Sequence, residues 1–143
     1  MKHAIVAALL ALTPIAALAD GVEHFLAVHV NQNDPAVMNL ALNNVENVTQ
    51  YYESIGDTVV IEVVAYGPGL NMYVAGKSPV ADRISTMSLA LERVSFSACG
   101  NTHVKMKKKA GKDVPLMSEA KMVQSGVVRL TELQEQGYSY VKP

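Results

Sequence analysis

The hydrophobic pattern switches between two periods along the chain. Residues 24–30 (HFLAVHV), 58–65 (TVVIEVVA) and 94–99 (VSFSAC) are short apolar or β-branched runs bounded by turn formers, the pattern of strands. The first two are apolar on both faces, as central parallel strands covered by helices are. In the third, Val94, Phe96 and Ala98 alternate with Ser95, Ser97 and Cys99. Between these runs the period becomes helical. Asp34-Pro35 supplies an N-cap and a proline at the first helical position, predicting a helix over 35–54 with Val37, Ala41, Val45, Val48, Tyr52 and Ile55 inward. Ser78-Pro79 opens a second helix with Val80, Ile84, Met87 and Leu91 on its inner face. A short basic helix is expected over 101–109, capped by Asn101 or Thr102. A loop over 111–118, a short strand at 121–124, a helix from Ser125-Gly126 to about 136 and a strand at 138–141 complete the chain. The inner face of that last helix is read as Val128, Leu130 and Leu133. Alternation of this kind predicts an α/β fold, three-layer α/β/α, with a mostly parallel sheet of about five strands.

Residues 1–19 fall outside this pattern. Lys2 and His3 precede an apolar run from Ala4 to Leu12, and Ala17-Leu18-Ala19 fits a small-x-small cleavage site. The run is roughly half the ~20 residues that a membrane span needs. A cleaved secretory signal peptide at 1–19, a single α/β domain at 20–143 and a periplasmic destination follow as expectations, with no membrane span in the mature chain. The net charge of −1, made one unit more negative by loss of Lys2, argues against a nucleic-acid partner. A single cysteine cannot close an internal disulfide and does not suit an intramolecular dithiol oxidoreductase.

Ligands of open parallel sheets bind beyond the carboxyl ends of the strands. Those ends gather His29 and Asn31, then Gly67 and Gly69 of a Tyr-Gly-Pro-Gly turn, then Cys99, Gly100, Asn101, Thr102 and His103, then Ser125-Gly126. Cys99 sits between a strand end and a helix start, where free N–H groups and the helix dipole favour a thiolate. The plainer alternative is a small buried hydrophobe. His103, four residues on, can orient or deprotonate the thiol or be a solvated histidine; His29 is a site-edge group or a satisfied strand-end histidine. Lys105, with Lys107, Lys108 and Lys109, is either a solvated helix face or an electropositive rim for a sulfur anion or an acidic partner. The spacing Cys99-x3-His103-x2-Met106 compares with that of soft copper ligands, but such sites sit on β-sandwiches; no metal and no cofactor is expected. The Gly-Pro-Gly turn lacks the dinucleotide and phosphate-loop fingerprints, and no Gly-x-Ser-x-Gly occurs.

Several segments together resemble the DsrE-like family, the sulfur-relay proteins that include DsrE, DsrF, DsrH and the TusD-type carriers. They are Asp34-Pro35 with Leu42-Asn43-Asn44, Val63-Val64-Ala65-Tyr66-Gly67-Pro68-Gly69, Phe96 to Thr102, and Ser125-Gly126-Val127-Val128-Arg129 with Leu133 and Gly137-Tyr138. The resemblance implies a three-layer domain, a homo-oligomer (trimer or hexamer), sulfur donor and acceptor proteins as partners, and persulfide carriage by Cys99. The expected function is a sulfur relay on one cysteine, a sulfurtransferase-like carrier, with Lys105 or His103 assisting. The alternatives are a non-catalytic module binding a small ligand or soft metal, and a structural oligomer subunit.

Overall fold

The computed structural model describes residues 21–143; the expected signal peptide lies outside the described residues. Five strands form one parallel sheet: β1 (Glu23–Val30), β2 (Thr58–Ala65), β3 (Val94–Cys99), β4 (Ala120–Val123) and β5 (Ser139–Val141), in the order β4-β3-β2-β1-β5. Helices α1 (Pro35–Ser54), α2 (Ala81–Ala90), α3 (Gly100–Ala110) and α4 (Gly126–Glu135) connect them, with a 3-10 segment at Gly67–Tyr73. Three-layer α/β/α architecture is thus the observed fold, with helices on both sides of the sheet.

The distribution of helices follows from connection handedness. The chain steps one way from β1 to β4, and right-handed crossovers place successive helices on one face. It then reverses from β4 to β5, so α4 crosses the opposite face. The first face is a continuous apolar layer: Leu26, Val28, Ile61, Val63, Phe96 and Ala98 meet Met38, Leu42 and Val45 of α1 and Ile84 and Met87 of α2. On the second face the apolar contact is small, with Ala27 and Val64 against Leu130 and Leu133.

Local chemistry explains the element ends. Asp34 Oδ1 accepts the Ala36 N–H at 2.8 Å and starts α1 before Pro35. Ser78 Oγ accepts the Val80 N–H ahead of α2. The Tyr73 hydroxyl donates to the Val63 carbonyl at 2.7 Å and pins the 3-10 segment to β2. Gly69 lets that segment cross the end of β1, since a Cβ there would stand 2.3 Å from the Val30 carbonyl oxygen.

Three expectations about helices need correction. The buried stripe of α1 is Met38, Ala41, Leu42, Val45 and Thr49; of the expected stripe Ala41 and Val45 are buried and Val48 and Tyr52 pack against the core, whereas Ile55 is exposed and Met38 and Leu42 join the inner face. Val128 of α4 is 52% exposed and lines a groove instead of the core. The cap of α3 is Cys99 itself, whose sulfur accepts the Thr102 N–H.

Among the described residues, no helix is long and apolar enough to cross a membrane.

Candidate functional site around Cys99

The site lies on the α4 side of the sheet, at the carboxyl ends of β1, β2 and β3. Parallel pairing sets Ala98 beside Ala65, and Ala65 beside Val30. The Tyr66 N–H extends the ladder by bonding the Val30 carbonyl at 3.2 Å. The α4 N-terminus packs over this edge. A Cβ on Gly126 would lie 2.8 Å from the Tyr66 Cβ and 3.2 Å from the Cys99 Cβ, so only glycine lets α4 begin so near the thiol.

Cys99 is 4% exposed. Its sulfur lies 3.4 Å from the Thr102 nitrogen. Burial pushes the thiol pKa up, but hydrogen bonds from the Thr102 hydroxyl and the Gly126, Thr102 and Asn101 N–H groups outweigh it, leaving the pKa below the ordinary cysteine value. The start of α3 thus donates an N–H to the sulfur while the start of α4 packs against the same side chain, an arrangement that favours an anion. The Thr102 hydroxyl is itself fixed, because it accepts the Gly67 N–H at 2.9 Å. This bond joins the Gly67 turn to the Cys99 helix start, two segments that the sequence places 35 residues apart.

The other expected site residues divide. Gly100, Asn101 and Thr102 form the first turn of α3 around the sulfur, and the Asn101 N–H is also held by the Gln124 carbonyl at 3.1 Å. His103 is not hydrogen-bonded to the thiol. Its Nε2 donates to the Val114 carbonyl at 2.6 Å, so the ring ties down the 111–118 loop. Lys105 is not among the groups bonded to the sulfur either; it borders a groove between α3 and the 3-10 segment.

His29 joins the edge through Tyr66. The two rings stack with centroids 4.5 Å apart, and His29 Nδ1 meets the Tyr140 hydroxyl at 2.6 Å. Burial, helped by the charge of Lys142, holds the His29 pKa below its ordinary value, so the imidazole is neutral at pH 7. Its Nε2, and the Oδ1 of Asn31 just beyond β1, are buried without hydrogen-bond partners among the described residues. No cluster of three His, Cys, Asp or Glu residues suited to a metal occurs among the described residues.

One further group escaped the sequence reading. Glu62, 6% exposed in the middle of β2, accepts two hydrogen bonds from Arg129 of α4, at 2.8 and 2.7 Å, and one from the Ser97 hydroxyl at 2.6 Å. Burial raises the Glu62 pKa, yet the Arg129 and Ser97 hydrogen bonds dominate and the carboxyl titrates below its ordinary value. A lone glutamate inside a β-branched run was the available signal. These residues line a polar groove of about 800 Å³ that also reaches Asn101, Gln124 and Ser125 beside the thiol site.

No known family model matches the chain, and no curated protein does. Among solved structures, it is similar to the protein of unknown function MTH1491 from Methanobacterium thermoautotrophicum. The two share 30% identity over 84% of this chain and 99% of the archaeal one, with a TM-score of 0.70. This chain therefore belongs to the same family as MTH1491.

Proposed function

We propose that the protein is a sulfur carrier in which Cys99 accepts and passes on sulfane sulfur. The observation that carries this reading is one buried thiol that accepts the Thr102 N–H at the start of α3, with the α4 N-terminus packed against its side chain at Gly126. In the loading step the Cys99 thiolate attacks the outer sulfur of a donor persulfide, R–S–S⁻. A new S–S bond forms at Cys99, the donor S–S bond breaks, and R–S⁻ leaves with the electron pair. Delivery is the same exchange in reverse, onto an acceptor thiolate. Neither step needs a second cysteine in this chain or an external oxidant. The N–H groups that stabilise the thiolate are suited to hold the persulfide anion as well. Resemblance to the DsrE-like sulfur-relay proteins supports the same reading, and with it homo-oligomerisation; the signal-peptide pattern at residues 1–19 supports export to the periplasm.

A second reading rests on burial. At 4% exposure and with its sulfur capping α3, Cys99 can be a structural cap. Serine is itself a good N-cap, so Cys99→Ser separates the two roles. Intact mass of the mature protein after incubation with polysulfide provides the test. A reductant-reversible gain of one sulfur atom in wild type and none in a folded Cys99→Ser supports the carrier. A native protein that takes no sulfur, with a thiol reactive only after denaturation, leaves the cap.

A further inference from the structure

A groove of about 830 Å³ runs between α3 and the 3-10 segment, with Thr102 and Tyr66 at the Cys99 side. Its lining is apolar at Pro68, Val74, Met106 and Val114, and basic at Lys77, Lys105 and Lys109. Among the described residues none of the three lysines makes an ion pair; Lys107, on the same helix, is the one that pairs, with Asp113 at 2.8 Å. The helix dipole accounts for lysines in the last turn of α3. It does not account for Lys105 in mid-helix, nor for Lys77, which comes from the loop after the 3-10 segment. Lys105 and Lys109 are also spaced i,i+4, where like charges repel and weaken a helix. Three uncompensated cations thus converge on one groove in a chain whose net charge is −1.

We infer that this groove binds a small organic thiol or persulfide bearing carboxylates, the donor or acceptor for Cys99. The carboxylates face the three ammonium groups, the apolar body lies over Met106 and Val114, and the sulfur end points toward Thr102. The volume falls in the range of small-molecule sites. Thr102 is the link between groove and thiol, since it borders the first and its backbone N–H donates to the second at 3.4 Å. The identification of the ligand as a sulfur compound rests on the carrier reading, whereas its anionic character rests on the groove.

The probe is S-methylglutathione, an unreactive thioether with two carboxylates, titrated into the mature protein and followed by amide chemical shifts. Shifts confined to residues 66–77 and 102–114 are expected, weakening as salt rises. Binding should be about tenfold weaker or more in a K77Q/K105Q/K109Q variant, while the diethyl ester of the probe binds wild type and variant alike. No shifts at millimolar probe, or equal affinity in the variant, overturns the groove assignment. Sulfur loading of Cys99 from polysulfide is measured in parallel on both proteins. If loading fails while the groove still binds, the carrier reading falls but the anion site stands; loading without groove binding gives the converse.

Discussion

The two faces of the sheet are built by different rules. Against α1 and α2, β1 to β3 present an unbroken apolar layer in which Tyr73, Phe96 and Met38 are fully buried. Against α4 the same strands present His29, Glu62, Ser97 and Cys99, all under one tenth exposed, around a small apolar patch. The first face stabilises by burial, which is insensitive to pH and tolerant of local change. The second depends on each polar group keeping its partner, because a buried charge or donor left alone is costly. Chemistry needs polar groups held in fixed positions, so it is on the second face that a thiolate can be kept.

This contrast breaks most severely at the ion pair. Arg129→Ala leaves Glu62 buried with Ser97 as its one hydrogen-bond donor and only the charge of Lys121 nearby, and should cost about 3–5 kcal/mol in denaturant unfolding at pH 7. Leu42→Ala on the other face falls in a similar range, about 2–5 kcal/mol. Their pH dependence differs. In wild type the folded Glu62 pKa is lowered, so its stabilisation is present above the ordinary carboxyl pKa and is lost as pH falls through the folded value. Without Arg129 the buried carboxyl titrates upward instead, so the Arg129→Ala deficit should shrink on acidification while the Leu42→Ala deficit stays constant. Equal pH profiles for the two variants would refute the contrast.

A smaller effect is expected at Thr102. Thr102→Val removes the hydroxyl that accepts from Gly67 and helps hold the Cys99 pKa down, at a cost of about 1–3 kcal/mol for the stranded Gly67 N–H. The thiol pKa should rise toward the ordinary value, read as an upward shift in the pH midpoint of Cys99 alkylation. A midpoint that does not move would show that the N–H groups alone set it.

At Cys99 itself, replacement by Ala should cost about 0.5–2 kcal/mol through loss of the α3 cap, and replacement by Ser much less. Thermal unfolding of the two variants provides the comparison, and identical losses would mean that the sulfur's packing outweighs its capping. The smallest effect belongs to His103. His103→Gln, which keeps a donor for the Val114 carbonyl, should leave the Cys99 alkylation profile unchanged; a lower rate with a displaced midpoint would restore the histidine as the thiol's partner.

Much of the fold was legible because its signals are local. The strands at 58–65 and 94–99 and the helix at 35–54 announce themselves through β-branched runs, caps and helical period within windows of under twenty residues or so. Cys99 at a strand end before a helix was legible for the same reason. The partner of its sulfur was less so. His103 stood out because i,i+4 spacing places side chains on one helix face, yet the Val114 carbonyl, eleven residues further on, offered a better acceptor. Ser125-Gly126 was legible as part of the same sheet edge as Cys99, but its close packing against the Cys99 side chain required the start of α4 to be placed.

By itself, the sequence determined the element order, the parallel α/β class and the position of the lone thiol at the end of β3, since each follows from residue types within one or two turns of chain. Tertiary structure alone decided which face each helix covers, the pairing of Glu62 with Arg129 across 67 residues, and the packing of the α4 N-terminus against Cys99. Those contacts join segments distant in sequence. Only the crossover from β4 over the second face to β5 brings them within hydrogen-bonding reach.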